Sequence, residues 1–284
     1  MKNAFSIDLE DWYHPELVQR YLRGNFKPQI FDATVRILDL LDKYNVKATF
    51  FVVGDVAKKS PEIIRLIYAK GHEIAFHGMN HEPLWTLSYK MFGKILKKFK
   101  ELIRSILGEE VQIKGFRAPS ASIDQRTGHY LQCLVDNDFE WDSSIFPFKT
   151  PLYGIADAPL KIYYPDFNNI LLEGSQKDLI EFPLTVFNVG PIRFPITGGV
   201  YIKILPYIIT KFLLKQVNQR FHRPFVLYFH PWETYTKTPR VRQMGLVNSI
   251  ITYFGNSNYL KKIDALLRDF EFDTISEVIA KYRM

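Results

Sequence analysis

Seven side chains in this sequence are equipped to move a proton or hold a cation, and they stand in four short clusters. His77 and His81 lie four residues apart in His77-Gly78-Met79-Asn80-His81. One turn of backbone between them brings both imidazoles to the same side, and neutral imidazole is the commonest protein ligand for zinc and its neighbours. The spacing is weakly specific alone, since Gly78, Asn80 and Pro83 also suit a solvated loop. In Asp8-Leu9-Glu10-Asp11, three carboxylates within four residues repel one another unless a cation or an arginine compensates. Strand alternation would put Asp8 and Glu10 on one face, whereas a turn would bring Asp8 to Asp11. The flanking Phe5, Ile7, Trp12 and Tyr13 favour a lined pocket over an acidic surface turn. Arg117, ahead of Ala118-Pro119-Ser120, is a natural partner for a carboxylate that must stay ionised. His230 ends an apolar run in Tyr228-Phe229-His230-Pro231-Trp232-Glu233, a position that also suits a core histidine. Two carboxylates, three histidines and an arginine are the equipment of a metal-assisted hydrolase.

Something must carry these clusters to one place. Apolar, β-rich runs at 4–8, 46–53, 72–76, 113–116, 139–142 and 225–230 read as strands. Helical periodicity spans 31–44, 88–107, 127–135, 260–268 and 275–282, and a further helix opens at Ser60-Pro61 and stops at Gly71. A last strand is expected over 270–274. Repeated strand–helix units imply parallel pairing, because parallel neighbours need a crossover. The expected fold is therefore α/β, a distorted (β/α) barrel of seven or eight mainly parallel strands. Chemistry in such a barrel sits where strands end, and all four clusters fall there. The rhythm breaks at about 150–193, an irregular insertion, and a C-terminal extension runs from about 234 to 284; one domain is expected over 1–284.

Composition narrows the class. The chain has 284 residues, 47% hydrophobic and 24% charged, the balance of a soluble globular protein with an ample core. Cys133 stands alone, which excludes a disulfide framework and a Cys-rich zinc module. The net charge of +7 favours anionic partners, yet no nucleic-acid recognition motif is present and no such partner is expected. Acids occupy the place of an apolar signal core, so the expected compartment is the cytoplasm, with contact at the inner face of the membrane. The apolar stretch at 200–214 is interrupted by Lys203, Pro206 and Lys211, too often for a membrane span. Residues 201–221 would suit a membrane surface, although a core helix broken at Pro206 fits the pattern better.

In their order along the chain, the clusters resemble the polysaccharide deacetylases, the NodB-homology family or carbohydrate esterase family 4. That pattern runs Asp-Asp, His-xxx-His, Arg-x-Pro, an Asp/Trp segment and a late Leu-x-His. Here it reads Asp8…Asp11, His77…His81, Arg117-Ala118-Pro119, Trp141-Asp142-Ser143-Ser144 and Tyr228-Phe229-His230-Pro231, from residue 4 to about 233. Glu181-Phe182-Pro183 and Gly198-Gly199-Val200-Tyr201 resemble the subgroup beginning Asp-Val-Glu-Asp, whose members serve exopolysaccharide and cell-surface glycan pathways. The resemblance implies a NodB-like barrel that hydrolyses the N-acetyl group of an amino sugar, releasing acetate and a free amine. It implies Asp8 as general base, Arg117 as the group that keeps it ionised, His230 as the acid for the departing amine and Asp142 as the residue that orients His230. It further implies a divalent cation, zinc above others, held by His77, His81 and one acid. The usual adjacent pair is spread here over Asp8-Leu9-Glu10-Asp11, so Glu10 and Asp11 are both candidate ligands, with a slight preference for Asp11. The partner is then a carbohydrate: an N-acetylated sugar, an oligosaccharide or a lipid-linked glycan. Trp12, Trp85, Pro119 and Trp232 are candidate walls for sugar rings, and the tryptophans suit core packing equally well. Two rivals remain: an allantoinase-like or other small-molecule amide hydrolase, and a non-catalytic glycan-binding module of the same fold.

Overall fold

The computed structural model describes residues 1–24 and 26–282. Strand β1 (Asn3–Leu9) is buried along its whole length, as a parallel strand covered on both faces must be. One edge of β1 pairs with β2 (Thr49–Val52), and β3 (Glu73–Phe76), β4 (Gly115–Phe116), β5 (Trp141–Asp142) and β6 (Ile180–Glu181) follow outward, every pairing parallel. Strands β7 (Val186–Val189) and β8 (Ile192–Pro195) form a separate antiparallel hairpin. Strand β9 (Val226–Phe229) returns to the other edge of β1, and β10 (Phe272–Asp273) pairs with the first residues of β1. Successive amides show the division: Asn3 N–H bonds Glu271 and Ala4 N–H bonds Phe225 across the strand. The sheet order is thus β9-β1-β2-β3-β4-β5-β6. Among the described residues no ladder joins β6 to β9, and the gap is bridged by Val226 N–H donating to Thr185 Oγ1 at 2.8 Å. Seven parallel strands therefore curl into a half-barrel.

Alternation along these strands separates two cores. Phe5, Ile7 and Leu9 of β1, with Phe50, Val52, Phe76, Phe116, Leu227 and Phe229, face outward and are covered by helices. The covering helices include Ile30–Lys43, Pro61–Ala69, Tyr89–Leu107 and Asn256–Asp269. Ala4, Phe51, Ala75, Trp141, Ile180 and Val226 face inward and fill the hollow of the half-barrel. By the same period of two, Ser6 and Asp8 also point inward. The helix expected from residue 88 begins where Ser88 Oγ accepts the Met91 N–H, and Gly71 at φ +75° follows the helix that opens at Pro61. The irregular stretch at 150–193 holds more regular structure than its composition suggests. It contributes β6, the outermost strand, and most of the β7–β8 hairpin, whose turn places Gly190 at φ +57°. No described helix is long and apolar enough to cross a membrane.

The hollow is tight at its base. Gly115 stands where an added Cβ would lie 2.0 Å from the Trp141 ring, and that ring is anchored by Nε1–H donating to Ser276 Oγ at 2.9 Å. A Gly115→Ala substitution should lower stability by about 2–3 kcal/mol through overpacking, seen as a reduced urea midpoint with an unchanged slope.

Candidate active site

Each catalytic candidate leaves the sheet at the carboxyl end of its strand: Asp8 on β1, His77 just after β3, Arg117 just after β4 and His230 just after β9. Inward alternation converges them. Arg117 lies 2% exposed, its guanidinium 3.9 Å from the centre of the Phe51 ring and 5.3 Å from that of Tyr228. Nε donates to the Ser143 carbonyl at 2.8 Å and Nη2 to Ser143 Oγ at 3.0 Å. Nη1 donates to Ser6 Oγ at 3.0 Å and to Asp8 Oδ1 at 2.7 Å. A buried arginine with its donors so committed fixes the carboxylate it faces. The other oxygen of Asp8, Oδ2, lies 3.8 Å from Nε2 of His77 and 3.8 Å from Nε2 of His230.

Beside Asp8, the buried Glu10, His77 and His81 each offer a ligand atom, and these atoms lie within 4.8 Å of one another. The two histidines are not on a helix. Gly78 at φ +77° and His81 at φ +62° fold the loop back so that the rings approach to 5.1 Å between centroids. His77 Nδ1 bonds the Arg117 carbonyl at 2.8 Å; the carbonyl only accepts, so Nδ1 carries the proton and Nε2 presents a lone pair. Burial pushes the His77 pKa down to about 4, which keeps that imidazole neutral as a ligand must be. Burial opposes charge on Glu10, but His81, His230 and His77 outweigh it and hold the carboxyl well below its usual range. Glu10 Oε2 stands 2.8 Å from His81 Nε2 yet has no hydrogen-bond partner, and His81 Nδ1 has none either. Two imidazoles and one carboxylate, buried and incompletely satisfied, fit the donor set of a three-ligand divalent site.

His230 is held from behind. Its Nδ1 bonds Glu233 Oε2 at 2.9 Å, and its backbone N–H donates to the same oxygen at 3.1 Å. Its ring stacks on Trp232 at 5.5 Å and 15°. Nε2 faces the site, 3.5 Å from Glu10 Oε1. Burial disfavours charge on His230, but Glu10, Glu233 and Asp8 push its pKa up to about 9. Glu233 is buried as well; Lys203 and His230 overcome the penalty and hold its pKa at about 2. Lys203 Nζ reaches Glu233 Oε1 at 2.9 Å, the Thr252 carbonyl at 3.0 Å and Asn256 Oδ1 at 3.1 Å. Gly199 leaves room for this carboxylate, since a Cβ there would stand 2.0 Å from Glu233 Oε2.

Several expectations are corrected. Asp11 does not join the cation cluster. Its Oδ2 accepts the backbone N–H groups of Gln29 at 2.8 Å and Ile30 at 3.1 Å, and Oδ1 accepts that of Trp12 at 2.8 Å. It therefore caps the helix Ile30–Lys43 from a distance, while a tight turn just past β1, with Glu10 N–H donating to the Asp8 carbonyl at 2.9 Å, delivers Glu10. Asp142 does not orient His230. Its neighbours Trp141 and Ser143 point inward, so Asp142 points to the opposite face, where it bonds Ser144 at 2.5 Å and neighbours Glu181. Burial raises the pKa of both of those carboxyls, and the Asp142 carboxylate adds to the rise on Glu181. Trp12 is no sugar wall: it packs edge-on against Tyr13 and Phe26 in a small core. Pro119 is buried against Gly78 and supports the histidine loop. Trp232 donates from Nε1 to Glu10 Oε1 at 3.0 Å, orienting the ligand rather than lining open space. Trp85 remains exposed, with Arg126 5.9 Å from its ring centre. Glu233 and Lys203 escaped the sequence reading. For Glu233 a signal existed: His230-Pro231-Trp232-Glu233 has proline at the first helical position and glutamate at the third, the arrangement of a capping box. Lys203 had no such mark, because lysines in amphipathic stretches are normally solvated.

Residues 28–134 match the polysaccharide deacetylase family, and residues 143–280 match a domain of unknown function, DUF3473. Over 180 residues the chain is 30% identical to a peptidoglycan deacetylase of Helicobacter pylori, covering 61% of this chain and 59% of that protein. Over 86 residues it is 36% identical to a chitooligosaccharide deacetylase of Sinorhizobium fredii, covering 30% of this chain and 40% of that one. The matches thus span less than two thirds of these curated relatives. A solved Mycobacterium smegmatis structure, classed with the polysaccharide deacetylases, superposes with a TM-score of 0.57 over 99% of this chain and 92% of its own, at 20% identity, which shows a shared fold. The cluster draws on both matched segments: His77, His81 and Arg117 lie in the first, Lys203, His230 and Glu233 in the second.

Two outcomes follow from this geometry. Glu10→Gln should weaken zinc binding by about 100-fold or more, beyond what loss of an outer-shell partner does, whereas Asp11→Asn should leave zinc affinity near wild type and cost about 1 kcal/mol of stability as a lost cap; competition with a chromophoric chelator and thermal unfolding read the two. In the metal-free protein, the His230 imidazole should titrate near 9, and Glu233→Gln should move that titration downward, measured by NMR of the ring protons.

Proposed function

We propose that this chain, which carries a polysaccharide deacetylase domain, hydrolyses the N-acetyl group of an amino sugar within a glycan, using a divalent cation at Glu10, His77 and His81. The observation that carries the reading is the asymmetry of Asp8. One oxygen is locked by Arg117, while the other is left free beside the cation cluster and His230.

The free oxygen, Oδ2, accepts the proton of the water that attacks the acetyl carbon. Arg117 holds Asp8 by Oδ1 and leaves Oδ2 to that water, since Nε, Nη1 and Nη2 are bonded to Ser6, Ser143 and Asp8. A divalent cation on Glu10, His77 and His81 would polarise the acyl oxygen and lower the pKa of a water towards ~7. His230 Nε2 then delivers a proton to the departing amine, otherwise a very poor leaving group. Arg117 thus commits Asp8 to acceptance and Glu233 commits His230 to donation, the division of labour that acid–base catalysis needs. Relatives named as peptidoglycan and chitooligosaccharide deacetylases support an N-acetylglucosamine-type substrate, and exposed Trp85 offers a face on which a sugar ring can stack. A metal-free amide hydrolase would leave the Glu10–His77–His81 arrangement without a task.

The test is acetate release from N-acetylated chitooligosaccharides and from peptidoglycan, with and without chelator. Release should stop with chelator and return with zinc, and Asp8→Asn should lower kcat by about 10²–10⁴-fold while zinc affinity persists. Release indifferent to both treatments would sink the reading.

A further inference from the structure

The positive charge of this protein is not spread evenly. Residues 182–263 contain eleven Lys and Arg and one acid, Glu233, leaving 26 Lys and Arg against 29 Asp and Glu in the rest. The acid is buried against Lys203, so it offsets nothing at the surface. Exposed positive residues here include Lys215, Arg220, Lys237, Arg240, Arg242 and Lys261.

Within this basic segment, two helices present apolar side chains to solvent. On Gly245–Tyr253, Leu246 is 78% exposed, Val247 70% and Ile250 49%, and Phe254 extends the row at 56%. On the other, Tyr207–Gln219, Ile208 is 77% exposed and Phe212 59%, continuing from Ile204. The inward faces of these helices are spoken for: Thr252 and Tyr253 on one, Thr210, Leu214 and Val217 on the other. Pro206 separates the second row into two parts without burying either. The rows meet where Gly255 packs on Lys203, which puts Phe254 and Ile204 on either side of that contact. The first row lies towards the carboxyl edge of the sheet, where Asn248 Nδ2 donates to Tyr21 Oη in the segment after β1. The second runs from Ile204 away from that edge, since Tyr207 Oη donates to the Ala265 carbonyl and Lys211 pairs with Asp269.

We propose that these two rows form a docking surface for an anionic lipid membrane, which holds the chain peripherally. Protruding aliphatic and phenylalanine side chains suit a fluid interface, which closes around a convex ridge without a pre-shaped partner. Lys and Arg around them, with no exposed acid in the segment, match the negative potential of an anionic leaflet. An acidic protein or a second copy of this chain are the alternatives the test separates.

The experiment is co-sedimentation of the full chain with vesicles of phosphatidylcholine alone and of phosphatidylcholine mixed with phosphatidylglycerol, at low and high salt, beside sedimentation of the chain by itself. Binding to the anionic vesicles is expected, weakening with salt. The double variants Ile208→Ser/Phe212→Ser and Leu246→Ser/Val247→Ser should each reduce it by about tenfold or more, and Arg240→Glu/Arg242→Glu should reduce it with the ridges intact. All positions are exposed, so an unchanged melting temperature certifies the fold. The proposal is overturned if the chain binds neither vesicle, if the apolar variants bind as well as wild type, or if those variants instead convert a dimer to a monomer.

Discussion

The ion pair between Arg117 and Asp8 is the constraint around which the site is assembled. A guanidinium removed from water costs several kcal/mol unless its donors are met, and here its hydrogen bonds come from β1 and the end of β5 while rings from two further strands flank it. Ser6 and Asp8 come from β1, Ser143 follows β5, and the flanking rings of Phe51 and Tyr228 come from β2 and β9. None of these contacts is available until the strands lie side by side in register. The same pairing that satisfies the arginine sets the separation between Asp8 and His77, because Arg117 also offers its carbonyl to His77 Nδ1. Fold and chemistry thus share one residue, and the tolerance for error in either is small.

Much of this was legible in the order of residues. Alternating apolar runs and helical periods are local signals, and the strands they predicted at 46–53, 72–76 and 225–230 contain β2, β3 and β9. The clusters at strand ends follow from the same local logic, since a parallel sheet gathers its carboxyl ends on one side. What was illegible depends on the facing of single residues. Glu10 and Asp11 are adjacent and chemically similar, and only the tight turn after Leu9 decides which one meets the histidines. Asp142 sits one residue away from an inward position and therefore on the wrong side of the sheet. Glu233 gains its role from a short helix whose geometry is visible locally, but Lys203 reaches it from a helix 30 residues earlier, a contact no spacing rule announces. The outer strand β6 was hidden for another reason: at two residues, Ile180–Glu181 is too short to show a period.

The helical layer and the hollow have different tasks. The outward core is a continuous apolar body of helices packed on the sheet, and it carries no catalytic group. The inner core is smaller, mixes aliphatic side chains with the rings of Phe51, Trp141, Phe146 and Phe182, and ends in polar residues at its open edge. Its base needs Trp141 and therefore Gly115; its top needs charge and therefore Arg117. Volume is fixed at one end and electrostatics at the other, along the same strands.

The arrangement also has an order in time. β1 is made before the strands it pairs with, yet one of its edges is covered by β9, some 220 residues later. Until then the nascent chain holds β2 through β6 on one side of β1 and a bare hydrogen-bonding edge on the other. Such an edge is a template for unwanted pairing, and closing a loop of this length is slow compared with forming helices. Synthesis therefore leaves Asp8 and Glu10 beside an unsealed flank until the final third of the chain emerges. His230 arrives just after the strand that seals it, so the last of the three clustered histidines enters with the segment that completes the sheet.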